Sequence, residues 1–400
     1  MHVNLHEEQK PRFERRFSNN QEIFVRGNPE LQNPMFFVAN TEERLAKDHP
    51  LRAIKRRADE VLKQMERAFD AAYSEQGRPS IPPEALLKAL LLQALYSIPS
   101  ERRLVDAINW NLLYRWFCAL DPDALVWNAT TFTKNRERFE RHGLVRKFFE
   151  RVVATALVEQ YTSNDHFTVD GTLIQSWASL KSFRPKEEPR DGPPATGGSN
   201  PSVDFRGTKR RNETHQSTTD PEARLARKSK GTTVLLCHNG HVLMENRHGL
   251  CLEIGVAAAD GHAERHMAEQ LLRRFRQRHR GKPQTLGGDR GYEAGEFLRR
   301  MEEELRITPH VPISAERVTS QGAAGDARRR MRKRMKTKAY ALSQRARKKI
   351  EQMFGWMKQA GGLRKVRHVG RWKIQQIAYL WAAAYNLLRL AHVEQLEAAA

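Results

Sequence analysis

The chain has 400 residues, 39% of them hydrophobic and 29% charged, enough for two or more units with apolar cores. Lys and Arg number 69 against 47 Asp and Glu, a formal net charge of +22, so polyanions gather around the protein and nucleic acid is the expected partner. Cys118, Cys237 and Cys251 form no CxxC pair, which argues against a zinc ribbon or a disulfide framework. The first residues are polar and lack a signal-peptide pattern. The most apolar stretches, 85–98 and 374–388, carry Lys88 and Gln375, Gln376 and Asn386, so both read as buried helices rather than membrane spans, and a reducing cytoplasmic setting is expected.

Residues 1–40 show little periodicity and are expected to form an arm. Residues 41–160 read as an all-helical domain. Gly77-Arg78-Pro79 interrupts it, and the next helix, 84–96, is apolar on nearly all sides and belongs in the middle of a bundle. The pattern changes at His166, where 166–174 alternates and is rich in β-formers. Residues 184–230 are rich in Pro, Gly, Ser and charge and are expected to form a long mobile loop. Thr232–Cys237 and His241–Asn246 read as two strands joined by a hairpin turn at Asn239-Gly240. A strand at 251–258, a helix at 263–278, a strand at 284–289, a helix at 293–305 and a short strand at 308–312 follow. Residues 314–339 read as a basic loop, 345–359 and 374–390 as helices, and 393–400 as a tail. This order predicts an α/β domain over 161–392, built on a mixed five-stranded sheet with flanking helices.

Three carboxylates fall where such a fold brings strand ends together. Asp170 interrupts the first strand, Asp289 ends a later one, and Glu351 sits among Arg347, Lys348, Lys349 and Lys358. Asp is disfavoured inside strands, and an unpaired buried charge is costly. Divalent ions resolve both oddities. Two Mg²⁺ ions clamp the attacking and leaving oxygens of a phosphodiester displacement, and each needs only one or two carboxylates because Mg²⁺ keeps several waters. Asp170, Asp289 and Glu351 are therefore the expected metal-holding and catalytic residues.

Four stretches then carry a family resemblance: Val169-Asp170-Gly171-Thr172 with Ser176-Trp177-Ala178-Ser179, Gly288-Asp289-Arg290-Gly291-Tyr292, the series Arg347, Glu351, Lys358, and the helical block from Gly77 to Leu120. Together they resemble the DDE transposases of bacterial insertion sequences, in the family-five branch of the four/five superfamily. Gln344 stands where that family's third signature has Tyr. The resemblance implies a ribonuclease-H-like catalytic domain and metal-dependent DNA cleavage and strand transfer. It also implies two Mg²⁺ ions, with Mn²⁺ able to substitute, and double-stranded DNA as partner, both the element's terminal inverted repeats and its target. A homodimer in the working complex, a nucleoid-associated location in the bacterial cytoplasm, and end binding or dimerisation by residues 41–160 are expected as well. The alternatives are a metal-dependent nuclease without strand transfer and an inactive DNA-binding remnant.

By the same resemblance Arg347 and Lys358 grip phosphates beside the cleaved bond, with Arg290 and Tyr292 as further DNA contacts. Trp177 is placed to stack on an extruded base. The run Arg328, Arg329, Arg330, Arg332, Lys333, Arg334, Lys336 and Lys338 is expected to bind phosphate without reading sequence. His262, Glu264 and His266 fall short of a zinc-protease motif and read as surface residues of a helix.

Overall fold

The computed structural model describes residues 40–73, 80–186, 204–205, 208–228, 231–260, 263–314 and 321–398. Contacts divide the chain into Met1–Asn40 and Thr41–Ala400, and every described element lies in the second unit. The expected arm, the Gly77–Pro79 break and much of the 184–230 loop fall outside the described residues.

Eight helices come first: α1 (Thr41–Arg44), α2 (Pro50–Lys63), α3 (Glu66–Asp70), α4 (Pro83–Leu95), α5 (Glu101–Trp110), α6 (Leu112–Cys118), α7 (Thr130–Arg141) and α8 (Leu144–Val158). Their starts follow local chemistry. Ser100 accepts from Arg103 N at 3.3 Å ahead of α5, and Asn111 accepts from Leu113 N at 2.9 Å ahead of α6. Leu86, Leu87, Leu91 and Leu92 are all fully buried, which places α4 at the middle of the bundle as its sequence requires.

The strands are β1 (His166–Gln175), β2 (Phe183–Pro185), β3 (Asp204–Phe205), β4 (Thr208–Lys209), β5 (His215–Ser217), β6 (Arg224–Ala226), β7 (Leu235–Glu245), β8 (Cys251–Ala258), β9 (Thr285–Gly287) and β10 (Thr308–His310). Five of them form the mixed sheet β10-β9-β1-β7-β8, and short β6 continues the β8 side along β7. β10, β9 and β1 run parallel; β1, β7 and β8 are antiparallel neighbours. Helices α9 (Ala263–His279), α10 (Gly295–Glu303), α11 (Gly322–Arg334), α12 (Lys338–Arg347), α13 (Lys349–Gln359) and α14 (Arg371–Ala398) surround it. This is the helical region followed by a ribonuclease-H-like α/β fold that the sequence predicts.

Alternation along β1 assigns the two faces. Phe167 meets Phe275 of α9, at 5.3 Å between ring centroids, so Phe167, Val169 and Gly171 face α9. His166 lies 3.0 Å from Ser343 Oγ of α12, and Thr172 and Ile174 share a small cavity with Phe354 and Met357 of α13. Asp170 belongs to this second face.

Three expectations need correction. No hairpin turn occurs at Asn239-Gly240: β7 runs straight through, because both residues pair with β1 on one side and with β8 on the other. Gly240 is there for packing, since a Cβ on it would lie 2.9 Å from Ile174 Cδ1. The reversal comes at Asn246–Gly249, with Gly249 at φ +74°. Within 184–230, residues 215–217 and 224–226 are strands, paired with β2 and β7. Finally, the basic segment after Gln321 is helix α11, packed on α10 through buried Ala327 and Met331.

The polar residues of α14 have a tertiary role. β8 pairs with β7 only, leaving its outer backbone groups open. Asn386 accepts from Cys251 N at 2.8 Å and donates to Cys251 O at 2.7 Å. Gln375 accepts from Val256 N at 2.7 Å and donates to Ile254 O at 3.1 Å. Two amides three helical turns apart thus cover the edge strand. Replacing Asn386 by Leu orphans two buried backbone groups and should cost roughly 2–4 kcal/mol. Urea unfolding would show it as a lower midpoint at unchanged slope; a loss under about 1 kcal/mol would remove this role for Asn386.

Candidate active site

The register between parallel neighbours brings two acids together. Thr168 of β1 pairs with Gly287 of β9, so Asp170, in the middle of β1, and Asp289, just past the end of β9, each two residues further on, come side by side. Asp170 Oδ1 accepts from Gly171 N at 2.8 Å, and its Oδ2 pairs with Arg347 Nη1 at 3.2 Å. Asp289 Oδ1 accepts from Gly291 N at 2.8 Å, which caps a single 3-10 turn over Arg290–Tyr292. Burial pushes the Asp170 carboxyl up to about 6, with Asp289 and Glu264 adding to the rise and the Gly171 N–H and Arg347 opposing it.

Arg347 and Glu351 do not share one continuous helix. α12 ends at Arg347 and α13 starts at Lys349, with Lys348 as a one-residue joint. Glu351 sits exposed on the first turn of α13, one turn past the arginine that holds Asp170. It is not among the strongest charges acting on Asp170, which are Asp289, Arg347 and Glu264. Among the described residues no three His, Cys, Asp or Glu side chains form a ready metal-holding group. Asp170 and Asp289 nevertheless suit a hard cation: both are oxygen donors, and Asp289 and Glu264 add to the cost of a charged Asp170 that a cation would relieve.

Gln344, at the position of the family's Tyr, donates to His310 O at 2.7 Å and to Gly288 O at 3.3 Å, fastening α12 to the strand ends beside Asp289. Behind the site, Ser176 Oγ and His238 Nε2 both bond Asp220 Oδ2, at 2.7 and 2.8 Å, with all three side chains fully buried. Hydroxyl and imidazole both meet the carboxylate, not each other, so this set pins the loop after β1 and is no nucleophile.

The expected DNA contacts divide sharply. Tyr292 is 1% exposed and packs on Phe297, so it is a core residue and offers DNA no surface. Most arginines of the basic run are already paired: Arg328 with Glu293, Arg329 with Asp326, and Arg330 and Arg334 with Glu302, while Arg332 donates to Ser314 O. Glu302 of α10 thus holds Arg330 and Arg334 where α11 docks. Lys333, Lys336 and Lys338 are exposed and form no ion pair with the described residues. Arg290 is exposed beside Asp289, and Lys358 is half-buried on the Asp170 face of the sheet. Trp177 is 48% exposed, with Lys365 Nζ at 5.0 Å and Arg367 Cζ at 5.5 Å from its ring. Backbone bonds from Gln175 to Arg364 and Val366 bring that basic loop to the end of β1.

Two family profiles match the chain: Transposase domain (DUF772) over residues 39–138 and Transposase DDE domain over 207–387. Both descriptions are of transposase domains, and the second, over the later part of the chain, is of the DDE type. The DDE-domain match contains Asp289 and Glu351, whereas Asp170 and Trp177 lie between the two matches. Strand register brings Asp170 beside Asp289, which lies within the DDE-domain match. No curated protein and no solved structure matches the chain significantly. No helix among the described residues is long and apolar enough to cross a membrane.

Sequence reading missed Glu264. It placed that residue on a helix surface, whereas Glu264 is half-buried beside Asp289; His262 lies outside the described residues. Only the strand register and the docking of α9 bring Glu264 there, so no local signal marks it.

The electrostatics of Asp170 have a thermodynamic consequence. Its folded pKa, about 6, lies above the ordinary 3.8, so the folded state binds the proton more tightly than the unfolded chain. The resulting stabilisation is complete below pH 3.8 and is lost as pH rises through about 6. With divalent ions chelated, Asp170→Asn should therefore be more stable than wild type at pH 8, by on the order of 2 kcal/mol, and the gain should shrink toward zero below pH 4. Paired melts across pH test this; a pH-independent difference would mean that Asp170 does not titrate as its burial requires.

Proposed function

We propose that this protein is a transposase that binds the ends of its own insertion element and catalyses metal-dependent DNA cleavage and strand transfer by in-line phosphodiester displacement. The observation that carries the reading is the register that sets Asp170 beside Asp289, with Arg347 against them, in a chain whose second half matches a transposase DDE domain. Asp170 of β1, Asp289 just past β9, and Glu351 of α13, one turn past Arg347, would hold Mg²⁺. Two Mg²⁺ ions, when bound, activate the attacking oxygen and stabilise the leaving oxygen; Mn²⁺ substitutes for them. Arg347 keeps Asp170 oriented before DNA arrives and turns to phosphate afterwards.

DNA reaches the site over Arg290, Lys358, and the Trp177, Lys365 and Arg367 cluster, where a base stacks on the indole and phosphates meet the flanking cations. Lys333, Lys336 and Lys338 extend the phosphate-binding surface. Residues 41–160 act in end binding or dimerisation and residues 161–392 in catalysis, with a homodimer as the working unit. We place the chain in insertion-sequence family five, whose motifs it resembles except at Gln344.

Paired gel-shift and strand-transfer assays on one set of variants test the reading. Asp170→Asn, Asp289→Asn and Glu351→Gln should each lower cleavage and joining by more than about a hundredfold while DNA binding is kept or tightened, because each removes negative charge. Lys358→Ala and Trp177→Ala should weaken binding and lower activity in part. Nicked DNA without joined product would mark a nuclease instead, and wild-type joining by Asp170→Asn would remove the enzyme assignment.

A further inference from the structure

The Asp170–Asp289 pocket has a third acid close by, on the opposite face of the sheet. Glu264 stands on the first turn of α9, which Arg265 ties to the turn after β9 by donating to Gly291 O at 3.0 Å. A Cβ on Gly291 would lie 2.9 Å from Glu264 Oε2 and 3.0 Å from Asp289 Oδ1, so the two oxygens flank one point that only glycine leaves open. An acid in a helix's first turn ordinarily serves the free N–H groups there. Here the Glu264 carboxylate instead takes a hydrogen bond from the Asn239 side chain of β7.

A second observation concerns the neighbouring position on β7. His241 is 1% exposed, and among the described residues neither ring nitrogen has a hydrogen-bond partner. Its Nδ1 and Asn239 Oδ1 both border Gly171, the residue after Asp170, at 3.3 and 3.4 Å from where a Cβ would stand. Buried polar groups are normally satisfied, so an unpaired imidazole beside Gly171, one residue from Asp170 and bordering the same point as the amide that holds Glu264, points to something that belongs there. Both glycines, Gly171 and Gly291, leave space where a side chain would close it.

We propose that Glu264 is a further carboxylate of the divalent-cation site, held in orientation by Asn239, so that the site draws acids from both faces of the sheet: Asp170 from β1, Asp289 from just past β9 and Glu264 from α9. The proposal rests on the reading of Asp170 and Asp289 as metal-holding residues. Because Mg²⁺ keeps several waters, a carboxylate one water away still contributes to holding it.

Mn²⁺ affinity measured by electron paramagnetic resonance on the full chain without DNA tests this apart from activity. Glu264→Gln preserves shape, and its melt without metal should match wild type or exceed it. Its Mn²⁺ affinity should fall about tenfold or more, and the Mn²⁺ concentration for half-maximal DNA cleavage should rise in step. A change below about fivefold in Glu264→Gln, with affinity lost in Asp170→Asn and Asp289→Asn, overturns the role of Glu264 and leaves the two-aspartate site standing. Unchanged affinity in both aspartate variants overturns the metal-site reading and this proposal with it.

Discussion

A carboxylate in the middle of a central strand is the constraint that organises this protein. Asp170 sits between β7 and β9, where burial opposes its charge and Asp289 opposes it further. The chain offsets that cost locally with the Gly171 N–H and distantly with Arg347, 177 residues later in sequence. The last turn of α12 must therefore stay above β1 and the end of β9. Gln344 fixes it there through the carbonyls of Gly288 and His310. On the other face Arg265 and Asn239 hold α9 against the same strands.

A site assembled from two strands and two helices needs a sheet that does not slip. β7 supplies this by pairing over nearly its whole length with β1 on one side and with β8 on the other. The exposed side of β8 is closed by amides of α14 rather than by another strand. α14 also packs against α8, α2 and α4, and Glu394 near its end joins Glu159 in pairing with buried Arg57. One helix thus covers the sheet edge and anchors the helical bundle, and the described residues from Thr41 onward form a single unit.

Net charge alone is a poor map of where cations stay open to a partner. The densest run of arginines lies on α11, yet Arg330 and Arg334 pair with Glu302 of α10, Arg328 with Glu293 just before that helix and Arg329 with Asp326 of α11 itself, so most of them are occupied within the fold. The less conspicuous group of Trp177, Lys365 and Arg367 is open, and it borders β1 because the loop after α13 adds to the end of that strand. An exposed indole with two cations against its ring combines stacking with phosphate attraction in one place.

The sequence by itself determined the elements whose signal is local. The all-apolar face of α4, the caps at Ser100 and Asn111, the alternation of 166–174 and the acids at 170 and 289 were all legible, and with them the α/β order and the ribonuclease-H-like class. Tertiary structure decided whatever depends on partners distant in sequence. Asn239-Gly240 reads as a turn, but pairing on both edges and the close approach of Ile174 stretch it into a central strand. Gln375 and Asn386 read only as polar interruptions of an apolar helix until β8 lies beside them. Tyr292 carries a motif position yet is core, and Glu264 carries none yet stands beside Asp289. Hydrophobic period and turn chemistry act over a few residues, whereas burial, edge closure and the meeting of charges are set only when the chain has folded back on itself.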